Sequence, residues 1–195
     1  MIQETEQPAV DRHMGDRVLA AGLLHVSEQA IERLAASVYT RALLEGCLKE
    51  KLGGELPPDL TPPQKYLLTL EAGQLAVLAL RLGCACYARA IMAVINGEAL
   101  RKLADQTTPQ LMQDAVWGMT YLAGHGSSQN TDPLAQTIRA SGLACLRAWC
   151  VAQPRPIAVR VHLLLPTRSE DEEAPLQHPE HLVEAFVMER LHDNA

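Results

Sequence analysis

Apolar residues return every three or four positions along most of the chain, the period of an α-helix with one buried side. After Ser27, a residue suited to cap a helix with Glu28 in its first turn, they fall at Ile31, Leu34, Val38, Leu44 and Leu48. Gly53-Gly54 supplies the stop. Glu55 to Pro63 holds four prolines and reads as a rigid connector. A stronger start signal comes next. Thr61 can cap, Pro62 suits the first helical position, and Gln64 sits where a capping box needs it. Tyr66, Leu67, Leu70, Leu75, Leu78 and Leu82 then extend the pattern to Gly83, which invites a kink or close packing. The pattern resumes through Ile91 to Ile95 and ends at Asn96-Gly97. Ala76, Ala79 and Gly83 are small enough to let another helix approach, and near all-round apolarity puts this helix at the centre of the fold.

Further helices are expected from Glu98 to Ala104, from Thr108-Pro109 through Leu111, Ala115, Val116, Met119 and Leu122, and from Asp132-Pro133 through Ile138, Cys145, Leu146 and Trp149. The loop His125 to Thr131 separates the last two, and Pro154 and Pro156 close the run. Ile157, Val159, Val161, Leu163 and Leu165 alternate in the manner of a strand, with a short helix as the alternative. No second segment offers that strand a partner, so its backbone groups would be unpaired. Residues 167–177 form an acidic linker, after which Pro179 opens a last helix. Its apolar face carries Leu182, Val183, Phe186, Val187 and Leu191. Leu182, Val183, Phe186 and Leu191 are the candidates for binding a partner, with packing onto the protein's own core as the competing use of that face.

The expected fold is therefore mainly α, a single-domain irregular helical bundle with at most one or two short strands near 157–165. Residues 1–22 are expected to be loosely ordered, and 23–195 to form the domain. Scarce aromatics fit this reading, because Ala and Leu must fill most of the core and both favour helix.

Charge narrows the function. Seventeen basic against 23 acidic residues give a net charge of −6, with no basic run. A nucleic-acid surface is not expected. The apolar stretch Ala72 to Ala88 is short for a membrane span and is interrupted by Gln74 and Arg81. Glu4 and Glu6 near the start, with no apolar stretch behind a basic segment, give no sign of a secretory signal. The five cysteines show no extracellular spacing and read as small buried hydrophobes.

No nucleophile elbow, phosphate loop, dinucleotide fingerprint or zinc-protease helix occurs, so no catalytic or cofactor-binding residue is assigned. His178 and His181 flank Glu180 across a helix start, but zinc needs three or four ligands and no metal site is assigned. Arg81 and Arg89 read as partners for internal carboxylates or carbonyls rather than a phosphate site. An enzyme with a site dispersed along the sequence is the least favoured class.

Leu80-Arg81-Leu82-Gly83, followed by Ala90-Ile91, resembles the central helix of the SctK/YscK-type proteins of bacterial type III secretion systems. Ile138, Ser141-Gly142-Leu143, Gln153-Pro154 and Leu163-Leu164-Leu165-Pro166 are similar to that family in order and spacing. Ala21, Leu24 and His25 match part of an Ala-Ala-aromatic-Leu-His element, in which Gly22 and Leu23 are departures, and the usual upstream Phe-Cys-Pro is missing. The similarity spans Leu23 to Pro166 and rests mostly on packing residues. It implies an accessory protein of the cytoplasmic sorting platform, peripheral to the inner membrane and monomeric in isolation. The implied partners are an SctD-type inner-membrane ring protein and an SctQ-type pod protein, the latter leading through SctL to the ATPase. Such a protein has no cofactor, no membrane insertion and no catalytic residue to carry over. A type III secretion chaperone or small helical regulatory binding protein is the alternative, distinguished by a mixed α/β dimer.

These readings predict that neither a reductant nor a chelator changes the helical circular dichroism signal. A large loss in chelator would reinstate His178 and His181 as ligands.

Overall fold

The computed structural model describes residues 17–122, 134–167 and 176–193. Among them are eleven helices and no strand. In chain order these are α1 (Arg17–Leu24), α2 (Glu28–Ala36), α3 (Val38–Lys51), α4 (Pro62–Thr69), α5 (Ala72–Cys86), α6 (Ala88–Met92), α7 (Gly97–Gln106), α8 (Leu111–Tyr121), α9 (Leu134–Ala152), α10 (Arg155–His162) and α11 (Pro179–Asp193). The fold is an irregular helical bundle, as the pattern of the sequence predicts. It falls into two compact units. One is built from residues 17–69 and Pro154–Val161, the other from the described parts of Leu70–Gln153 and His162–Ala195.

In the first unit α1, α2 and α3 pack around Ala20, Ala21, Ile31, Leu44 and Leu48. Of the segment expected to be loosely ordered, 1–16 lie outside the described residues, while 17–22 belong to α1. Ala20 and Ala21 are the reason: both are buried against this cluster, with Leu23 and Leu24 partly buried beside them. The helix closes on His25, whose left-handed φ of 54° lets Val26 N–H reach the Ala21 carbonyl at 3.1 Å. Ser27 caps α2 as expected, its hydroxyl accepting from Ala30 N–H at 3.2 Å.

The single helix expected from Ser27 to Gly53 is broken at Ser37, which takes an extended conformation. Thr40 Oγ1 donates to the Leu34 carbonyl at 2.6 Å and Arg41 Nε to that of Ala35 at 3.0 Å, satisfying the end of α2. The break turns Val38 out to solvent while leaving Leu44 and Leu48 inside. Gly53 and Gly54, with φ of 84° and 103°, end α3 where the sequence placed the stop.

Residues 155–162 are helix, not strand. Proline sets this up: Ile157 and Ala158 N–H both return to the Pro154 carbonyl, at 2.9 and 3.0 Å. Ile157, Arg160 and Val161 then share the buried side at helical spacing. Arg160 holds the far end of α3. Its Nη1 donates to the Leu52 carbonyl at 2.9 Å and to that of Pro156 at 2.7 Å, and its Nη2 to that of Gly54 at 3.2 Å. A cation at the negative end of a helix is favourable, although burial pulls the Arg160 pKa down.

In the second unit the break in the central helix falls at Leu70-Glu71 and again at Tyr87, not at Gly83. Gln74 accepts from Glu71 N–H at 2.9 Å to start α5, as Gln64 does from Thr61 N–H at 2.8 Å to start α4 in the first unit. Gly83 serves close packing instead. A Cβ built on it would lie 2.7 Å from the Ile138 carbonyl carbon of α9 and nearer still to its oxygen. The contact is mutual: a Cβ on Gly142 would meet the Ala79 carbonyl carbon at 2.6 Å and Gly83 N at 3.0 Å. Gly118 of α8 sits in the same way over Ala85: a Cβ built on it would lie 2.7 Å from the Ala85 Cα. α5 is thus clasped by α9 and α8, with Ala76, expected at the close crossing, left exposed. Cys84, Cys86, Cys145 and Cys150 are buried as read from the sequence, and Cys47 is exposed. Cys86 and Cys145 face each other across the α5–α9 contact at 3.7 Å between sulfurs.

The starts expected at Asp132-Pro133 and the loop His125 to Thr131 lie outside the described residues, as does most of the acidic linker.

Gly83→Ala is expected to lower stability by about 1–3 kcal/mol, because the methyl meets backbone that no side-chain rotation can clear. Chemical denaturation checks this. An unchanged midpoint would show that α9 can move away freely.

Candidate functional site

The described residues concentrate polar and aromatic groups where α8 meets α11. Leu111, Asp114, Ala115 and Gly118 form the inward side of α8 at helical spacing, so one carboxylate is carried into the core with the apolar residues. Arg81 of α5 meets it through two nitrogens: Nε donates at 2.9 Å to Oδ2, and Nη2 at 2.8 Å to Oδ1. Arg190 of α11 adds a further bond, Nη2 to Oδ1 at 2.6 Å. Asp114 is fully buried and both arginines are mostly so.

Burial pushes the Asp114 carboxyl up to about 6, against the pull of the Arg81 guanidinium. The raised value means that this group contributes most below about 3.8, its unfolded value, and that the contribution is lost as pH rises through about 6. At neutral pH the carboxylate is ionised, and only its two arginines offset the cost of its burial.

Aromatic rings cover the cluster. Phe186 lies beneath both guanidiniums, with its centroid 5.6 Å from the Arg81 carbon and 5.1 Å from that of Arg190. Trp117 meets Phe186 edge to face at 5.0 Å and stacks on Tyr121 at 4.9 Å. The Tyr121 hydroxyl donates to the His181 carbonyl at 3.4 Å. Between the two helices Gln113, Val116, Trp117, Phe186, Glu189 and Arg190 line an open cleft of about 270 Å³.

Of the four residues singled out for partner binding, Leu182, Val183 and Phe186 are buried where α11 packs on α9 and α5, and Leu191 is half-buried. They face the interior of their unit, and a partner could reach that face only if α11 moved. Sequence reasoning missed Asp114 and Arg190. The signal for Asp114 was present: it is three residues after Leu111 on the apolar stripe, and Arg81 was already read as seeking a carboxylate. Arg89, the other arginine read that way, is exposed.

The remaining chemistry is muted. Burial pushes the Cys84 and Cys150 thiols up to about 12, so they stay protonated at neutral pH. His178 and His181 stack at 5.4 Å, with His178 Nδ1 3.2 Å from Glu180 Oε1. Glu180 is held below the usual carboxylate range by its own backbone amide and then by His178. Among the described residues no group of three or more His, Cys, Asp or Glu side chains could hold a metal ion.

Arg190→Met is expected to cost about 3–5 kcal/mol in urea denaturation, since it leaves a buried carboxylate with half its partners. Asp114→Leu combined with Arg81→Met and Arg190→Met should cost less than the sum of the three single changes. Additive losses would show that the three charges do not act as one unit.

Comparison with curated proteins and with solved structures returns no match. A family model does match, that of YscK, described as YOP proteins translocation protein K, over residues 23–188. The match runs from the end of α1 into α11 and so takes in parts of both units, with Arg81 and Asp114 inside it and Arg190 two residues beyond its end. The chain belongs to the YscK family of type III secretion proteins.

Proposed function

We propose that this protein is a non-enzymatic adaptor of the type III secretion sorting platform, joining the cytoplasmic face of the inner-membrane ring to the pod protein. Family membership over residues 23–188 carries the reading. The ring component is an SctD-type protein and the pod component an SctQ-type protein, through which the ATPase complex is reached. The adaptor works in the cytoplasm, peripheral to the membrane.

Two features support it. A bridge needs two separate binding faces, and each unit carries a helix with apolar residues turned outward. On α3 these are Val38, Tyr39 and Leu43; on α8 they are Met112, Val116 and Met119, one above the other at helical spacing. No described helix is long and apolar enough to cross a membrane, so attachment through a partner protein suits the chain. The purely helical described residues depart from the mixed α/β build expected of a secretion chaperone.

Purified chain, ring-protein cytoplasmic domain and pod protein, mixed and resolved by size exclusion with light scattering, should give a ternary complex. Ring and pod proteins alone should not associate at the same concentrations. A chain that binds only one of them, or that leaves the other two already joined without it, is not a bridge.

A further inference from the structure

We infer that the outward face of α3 is a docking seam for a helix of a partner protein, one that lays a bulky aliphatic side chain over Gly46 and a lysine or arginine against Glu50. The inference rests on the adaptor reading and gives it a surface. Tyr39, Leu43, Gly46 and Glu50 follow one another at spacings of four, three and four, the line along which two helices pack side by side. Leu44 and Leu48, on the opposite side, fill the core of the first unit, so α3 is apolar on two faces while only one is used internally. Tyr39 is 90% exposed, Leu43 70% and Val38, beside them, 79%. Three such side chains on one helix exceed the scattered surface apolarity of an ordinary protein.

Gly46 says what shape is missing. It lies in the middle of α3, where glycine weakens a helix relative to alanine, yet a Cβ there would meet nothing within 4 Å. The glycines of the α5, α8 and α9 contacts each have another helix's backbone against them, whereas Gly46 has the same notch with no occupant. Gly22, Gly73 and Gly97, also open, sit in the first or last turn of their helices, where glycine is cheap.

Charge says what chemistry is missing. Arg41 is taken up by the Ala35 carbonyl and Lys49 by Glu55, so the seam offers the exposed carboxylate of Glu50 and the Tyr39 hydroxyl. A basic side chain complements both. A second copy of this chain fits less well. Set antiparallel, Leu43 of each copy would cover Gly46 of the other, but Glu50 would meet only tyrosine.

The test uses the full chain with the ring-protein cytoplasmic domain and the pod protein as separate probes. Leu43→Glu, Gly46→Leu and Glu50→Lys should each weaken one of the two by at least tenfold and leave the other unchanged. Leu43→Glu should leave the melting temperature in place, and Gly46→Leu should raise it, since the helix gains a better former in open space. Unchanged affinity for both probes overturns the inference while the adaptor reading stands. A clear fall in melting temperature for Leu43→Glu overturns it by showing that the chain covers its own seam. A dimer that Leu43→Glu dissolves overturns it in favour of a second copy. A wild-type chain that binds neither probe removes the adaptor reading and the inference together.

Discussion

Where α5 crosses α9, backbone lies against backbone. Gly83 and Gly142 have no side chain to hold the helices apart, and each faces a carbonyl of the other helix, Ile138 for the first and Ala79 for the second. At this separation there are no rotamers to adjust, so the crossing tolerates one geometry where a leucine-lined contact would tolerate several. Gly118 of α8 repeats the arrangement over Ala85 on another part of α5. The central helix is therefore fixed on two sides by residues that contribute almost no apolar area themselves. What they permit is the close seating of Leu82, Ile138, Cys145 and Leu146, all buried.

That fixed frame is what makes a buried ion cluster tenable. Asp114 enters the core because α8 cannot rotate without driving Gly118 off Ala85, and Arg81 reaches it from α5 because the same contact sets the distance. Apolar burial alone would hold α11 loosely in register, since Leu182, Val183, Phe186 and Val187 could slide by a turn and still be covered. The bond from Arg190 to Asp114, with Phe186 beneath both guanidiniums, selects one register. Buried charge of this kind adds little net stability compared with well-packed apolar groups, and its use as a register lock is the better-attested one.

Most helices were legible because their ends carry explicit chemistry. Ser27, Thr61 with Gln64, and Gly53-Gly54 act as the sequence said they would. The breaks at Ser37, Leu70-Glu71 and Tyr87 were not legible, since apolar residues continue through each of them and only tertiary packing decides where the helix turns. Alternation over 157–165 suggested a strand because Val159 falls between two buried positions. The two prolines before it, which start a helix, were the stronger signal. The site was partly visible. Arg81 was recognised as needing an internal carboxylate or carbonyl, whereas Asp114, one polar residue in an apolar stripe, and Arg190, in a last turn, were given no role. The face of Leu182, Val183 and Phe186 was identified correctly as apolar, but periodicity alone does not say what covers a face.

The same ambiguity explains why α3 and α8 were hard to read. A helix with one buried side shows a sharp period, while a helix with two apolar sides shows a blurred one. Val38 and Leu34 were counted with Leu44 and Leu48 as a single stripe, when the break at Ser37 puts them on different surfaces. Blurring of this kind carries functional information. A monomeric protein with no second use for α3 would gain stability from polar residues at Tyr39 and Leu43 and from alanine at Gly46, because none of the three contributes to the core it helps enclose. Their presence is a cost to the isolated fold. The docking of a partner helix proposed above would offset that cost by covering the face.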